Sequence, residues 1–169
     1  MPLPRCAAAG HCSGTAARDR YHVTVLVGHG GHLPAQAARL LTSGSMDDSE
    51  IFQAIGEQGF ERLVAAFYRQ VPHDDILGPM YPEDDLAGAE QRLRDFLVGR
   101  FGGPARYIEQ RGHPRLRMRH APFAITGPAR DRWVLLMSRA MDEVQLPREV
   151  DLALRPFFEG VATMMINRG

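Results

Sequence analysis

The chain has 169 residues, 44% hydrophobic and 24% charged, which is material for about one globular domain with a sizeable core. Twenty basic and twenty acidic residues cancel to a net charge of zero, which removes the basic footprint of a general nucleic-acid binder. All twenty cations are Arg, so lysine Schiff-base and P-loop chemistry are excluded.

Residues 1–45 stand apart. They carry four Arg and one Asp, a net of +3, whereas residues 46–169 carry sixteen Arg and nineteen acids, a net of −3. Cys6 and Cys12 both fall in this first part, so neither a disulfide framework nor a CxxC zinc site spans the chain. Gly10, His11 and Ser13 interrupt the Ala-rich start before a signal-peptide core forms, and apolar runs stay far short of a membrane span. The expected location is the cytoplasm. One strand is predicted over 21–27, followed by Gly28-His29-Gly30-Gly31-His32. A lone strand has no partner, and forty-five residues make a poor core. The segment reads as a disordered N-terminal extension or a mis-assigned gene start, ahead of a domain over 46–169. A metal-binding arm through His22, His29 and His32 is the other reading.

Beyond this point the periodicity predicts helices. Ser49 caps a short helix through Ile55, which Gly56 and Gly59 break. Phe60, Leu63, Val64, Phe67 and Val71 follow 3.6-residue spacing, giving a helix over 58–71 that Pro72 ends. A short helical turn over 74–80 leads into Tyr81-Pro82. Leu86, Ala89, Leu93, Phe96, Leu97 and Phe101 stripe a helix over 84–100, stopped by Gly102-Gly103-Pro104. A looser stretch over 105–113 precedes a short helix over 114–120. Trp133, Leu136, Met137, Ala140 and Val144 mark a helix over 126–144; Val150, Leu154, Phe157, Phe158, Val161 and Met165 mark one over 148–167. Nothing after residue 46 alternates with period two, so the expected fold class is all-α.

The chemistry available to 46–169 is narrow: it has no Cys, and its histidines are His73, His113 and His120. His73 sits in a polar turn and His113 in a loop before Pro114. His120 ends a short helix, is followed by Ala121-Pro122, and is flanked by Leu116, Met118 and Phe123. Neutral imidazole held in such an apolar setting is a good iron ligand; the ordinary reading is a satisfied core histidine. Tyr68, Tyr81 and Trp133 lie on different elements, and their polar tips need partners when buried. They either converge on one polar ligand or each anchor a helix by packing.

Phe67-Tyr68-Arg69-Gln70-Val71, Met80-Tyr81-Pro82-Glu83-Asp84-Asp85-Leu86-Ala87-Gly88-Ala89-Glu90 and Asp131-Arg132-Trp133 resemble a group II truncated haemoglobin. So, above all, does Gln110-Arg111-Gly112-His113-Pro114-Arg115-Leu116-Arg117-Met118-Arg119-His120-Ala121-Pro122-Phe123. The resemblance covers roughly 50–167 and leaves 1–45 without a counterpart.

The resemblance implies a truncated globin fold, a two-over-two helical sandwich in which the 58–71/84–100 and 126–144/148–167 pairs enclose one haem b (iron protoporphyrin IX). His120 matches the proximal iron ligand, its other ring nitrogen donating to a backbone carbonyl. Tyr68, Tyr81 and Trp133 match the distal donors to a diatomic ligand. Ala89 stands where other globins place a distal His and is too small and apolar to hold one. Leu93 and Phe96 match distal packing residues, and Tyr107, Met118 and Phe101 are expected haem neighbours. Arg92, with Tyr107 or Arg111, is the expected partner of the haem propionates; Arg115, Arg117 and Arg119 read mainly as a solvated face. The implied function is slow-release binding of oxygen, nitric oxide or carbon monoxide, with nitric-oxide dioxygenase or peroxidase-type turnover if a reductase supplies electrons, in a monomer or homodimer. A haem-free all-α sensor or interaction module is the competing reading. Two departures stand out: the family's usual Gly-Gly between its first helices reads Gly56-Glu57-Gln58-Gly59, and Phe101 replaces a Trp found in some members.

Overall fold

The computed structural model describes residues 46–169. The strand expected over 21–27, the arm of His22, His29 and His32 and both cysteines lie outside the described residues. Within them the α-helices are α1 (Asp48–Tyr68), α2 (Leu86–Arg100), α3 (Arg106–Arg111), α4 (Leu116–His120), α5 (Gly127–Val144) and α6 (Arg148–Met165). The described residues hold no strand, as an all-α fold requires.

α1 starts at Asp47, not Ser49. The Asp47 N–H donates to the Glu50 carboxylate at 2.8 Å, half of a capping box that satisfies backbone donors otherwise left open. The break expected at both Gly56 and Gly59 is a kink at Gly56 alone, whose φ of 60° and ψ of −173° suit glycine. Helix geometry resumes at once, so the two helices expected from the sequence form one bent element. At the far end of α2, a Cβ on Gly103 would fall 2.5 Å from the Phe52 ring. The glycine there lets the first turns of α1 lie against the end of α2.

The core is built from the stripes the spacing predicts: Phe60, Leu63, Val64 and Phe67 on α1; Leu97 and Val98 on α2; Leu136, Met137, Ala140 and Met141 on α5; Val150, Leu154 and Phe158 on α6. α1 packs against α2 and α5, α5 packs against α6, and α3 leans on α2. This is the two-over-two arrangement that the resemblance implies.

Three short segments differ from expectation. The turn expected over 74–80 is two 3-10 turns, Val71–His73 and Gly78–Met80, separated by Asp74. The Asp74 carboxylate accepts from the N–H groups of Ile76 and Leu77 at 3.0 and 2.8 Å, and these local bonds compete with helix formation. A third 3-10 turn, Glu83–Asp85, takes up the expected start of α2. The looser stretch contains α3, anchored by the buried Tyr107.

Candidate functional site

Tyr68 ends α1, Tyr81 follows the Gly78–Met80 turn, and Trp133 lies in the second turn of α5. The structure brings all three together. The Tyr68 and Tyr81 rings meet edge to face at 5.8 Å, and Phe67 touches both Tyr68 and Trp133 at 5.2 Å. Burial pushes the Tyr68 phenol far above its ordinary range, and its hydrogen bond to Tyr81 adds to the rise. Burial also raises Tyr81, against the opposing pull of hydrogen bonds from Trp133 and Tyr68. Both phenols are therefore neutral donors at physiological pH.

The backbone around this trio is pinned by charge. Arg132, next to Trp133, donates to Asp74 and Asp75 at 2.6 Å each. Asp74 is nearly buried, which raises its carboxyl. The N–H groups of Leu77 and Ile76 and the Arg132 guanidinium outweigh that effect and hold it below the usual carboxylate range. The segment leading to Tyr81 is thus tied to the start of α5.

Ala89, Leu93 and Phe96 form one face of α2. Like Tyr81 and Trp133, they pack on the core while keeping part of their surface open. Phe96 meets the buried Tyr107 at 5.7 Å. Arg92, Tyr107 and Arg111 line one cavity of about 120 Å³, with Gln91 and Gln110 beside them. Arg92 already holds Asp85 in a two-point pair at 3.2 and 2.6 Å.

His120 is half-buried at the end of α4. Its Nδ1 lies 2.8 Å from the Leu116 carbonyl. A carbonyl only accepts, so Nδ1 carries the proton and Nε2 keeps a free lone pair. Among the described residues no three His, Cys, Asp or Glu side chains converge. Among the described residues, a metal held by His120 would find no such cluster to complete its shell. One neutral imidazole fits the axial position of a porphyrin iron, so the residues present suit haem.

Two expected haem neighbours differ sharply in exposure. Met118 is 64% exposed, beside Met164 on an apolar groove. Phe101 is 1% exposed, packed between Phe60 and Phe157 with the Arg100 guanidinium over its ring. It serves the core, where α2 meets α1 and α6, and has no place in the aromatic trio.

The two-over-two helical frame is that of a globin, a class of protein that holds a porphyrin metal. The chain belongs to the bacterial-like globin family, which matches residues 50–167. It is 39% identical over 117 residues to a group 2 truncated hemoglobin of Bacillus subtilis, covering 69% of this chain and 88% of that one. It is 31% identical over 125 residues to two-on-two hemoglobin-3 of Arabidopsis thaliana, covering 72% and 71%. A thermostable hemoglobin of Thermobifida fusca aligns with a TM-score of 0.67 at 47% identity, covering 69% and 96%. The truncated oxygen-avid haemoglobin of Bacillus subtilis aligns at 0.66 and 39%, covering 69% and 98%. The resemblance to group II truncated haemoglobins thus holds for family and fold, and membership implies haem binding.

Sequence reasoning did not find Asp74, Asp85 or Asn167, whose carboxylates and amide hold the site's backbone and its arginine in place. Asp74 carried a weak signal, an acid two residues after a proline that ends a helix. Asn167 carried none, because its partners are distant in the chain.

Proposed function

We propose that this chain binds haem b through His120 and holds oxygen, nitric oxide or carbon monoxide with slow release. Nitric-oxide dioxygenation or peroxidase-type turnover follows when a reductase supplies electrons. The observation that carries this reading is the meeting of Tyr68, Tyr81 and Trp133, each from a different element. Haem supplies a reversible binding position for a diatomic molecule.

The chain's own groups do the rest. Nδ1–H on the Leu116 carbonyl fixes the His120 tautomer. Leu93 and Phe96 offer apolar contact to a macrocycle, and Ala89 leaves room above it without offering a donor. Arg92, Tyr107 and Arg111 supply cationic and phenolic partners for its carboxylates. A hydrogen bond to a ligand with partial negative charge contributes about 1.5–3 kcal/mol. Two such bonds slow release by roughly two to four powers of ten. The similar truncated haemoglobin of Bacillus subtilis is oxygen-avid, in keeping with such a pocket. The family match over 50–167 supports a globin domain over 46–169.

Hemin titration of the purified protein tests the reading. A Soret band that His120→Ala abolishes is the expected result. A parent protein that stays colourless, or a His120→Ala variant with an unchanged five-coordinate spectrum, refutes the axial assignment. Mixing the oxygenated protein with nitric oxide in stopped flow, with and without a reductase, then separates holding from turnover.

A further inference from the structure

His120 closes a helix of five residues, far below the length at which a helix stands alone. None of those residues is buried, and the helix starts from Arg115 in left-handed backbone, with φ at 42°. The position of the imidazole must therefore be imposed from elsewhere.

The restraint comes from the residues at and just past the end of α6. The Asn167 side-chain amide is fully used. Its Nδ2 donates to the carbonyls of His120 at 3.2 Å and Phe123 at 3.0 Å, and its Oδ1 accepts from the Ile125 N–H at 3.1 Å. The backbone N–H groups of Asn167 and Arg168 both donate to the Ile125 carbonyl, at 3.0 and 3.2 Å. One helical turn earlier, Arg117 donates to the Met164 carbonyl at 2.6 Å, a group the helix end leaves open. Asn167 and His120 are 47 positions apart, so the tie is purely tertiary.

We infer that Asn167 is the positioning residue of the proximal imidazole. Two constraints then set the ring: Asn167 holds the His120 backbone through its carbonyl, and the Leu116 carbonyl holds Nδ1. Together they fix where Nε2 points. Asn167 touches neither the metal nor its ligand; it acts through His120. The inference rests on the axial role proposed for His120.

The test uses Asn167→Ala and Asn167→Asp. The Asp variant keeps an acceptor for the Ile125 N–H and sets a carboxylate against two carbonyls. Both variants are expected to fold by circular dichroism, since the change removes side-chain bonds at the edge of the structure. In haem-free protein, amide exchange over 116–125 rises. In the ferrous haem form, the iron–histidine stretching band shifts or broadens, and hemin passes to apomyoglobin about tenfold faster. Thr163→Val, which removes the nearby hydroxyl that accepts from Arg130, leaves that band in place. An unshifted band with unchanged hemin loss in both Asn167 variants overturns the positioning role, whatever the exchange shows. Hemin uptake by the parent protein is read first, so failure of the axial assignment is seen separately from failure of the clamp.

Discussion

Tyr68, Tyr81 and Trp133 come from three elements and meet through their rings, Tyr68 edge to face with Tyr81 and Phe67 against both Tyr68 and Trp133. Trp133→Phe keeps an aromatic ring near Phe67 and Phe158 while deleting the indole N–H together with the five-membered ring that carries it. Trp133→Phe is expected to speed oxygen release about tenfold, as the loss of one hydrogen bond to a partly charged site requires. Stopped-flow replacement of oxygen by carbon monoxide measures it; an unchanged rate leaves Tyr68 and Tyr81 as the only donors that matter. The residue types of the trio were legible in the sequence, since phenols and an indole on apolar stripes need partners. That the three side chains come together was not legible, because that depends on how three elements pack. The Asp85 partner of Arg92 escaped notice for a related reason. Seven positions bridge a 3-10 turn and a helix, and helical spacing within one element does not cover that case.

At the scale of elements, the long helices and their buried faces followed from 3.6-residue spacing, with Pro72 and Gly102-Gly103-Pro104 marking ends. The errors fell where local hydrogen bonds beat periodicity. Asp74 turned an expected helical turn into two 3-10 turns, and Asp47 rather than Ser49 began α1. Gly56 shows how such a detail shapes the whole element. Its backbone lies in a region that side chains avoid, although open space surrounds the position where a Cβ would be. Gly56→Ala is therefore expected to destabilise the fold by about 1–3 kcal/mol through backbone strain alone. A urea unfolding curve with a lower midpoint and unchanged slope would show this. An unchanged midpoint would mean that the kink relaxes without loss.

At the scale of the molecule, the charge pairs of the described residues are made by guanidinium groups, as in Arg132 with Asp74 and Arg155 with Asp142 and Asp151. Guanidinium does not titrate in the accessible range, so these pairs survive in alkali. The alkaline limit belongs to Tyr68 and Tyr81. Their folded-state values are raised above the ordinary 10.0, so the native state retains protons that the unfolded chain loses. The stability they contribute is complete below about pH 10 and declines as pH climbs beyond it. Phenol absorbance during alkaline titration should show Tyr68 and Tyr81 ionising only as the protein unfolds. Early ionisation of all four tyrosines would contradict their burial.

Among the described residues, the methionines of the groove and of the core differ in their access to solvent. Met118 and Met164 stand open on the groove beside α4, at 64% and 45% exposure, while Met137 and Met141 are sealed in the core. Peroxide reaches the outer thioethers first, and their sulfoxides, already in water, leave the packing intact. The expected order of oxidation is therefore the groove methionines first and the core methionines last, which peptide mapping after graded peroxide exposure reads.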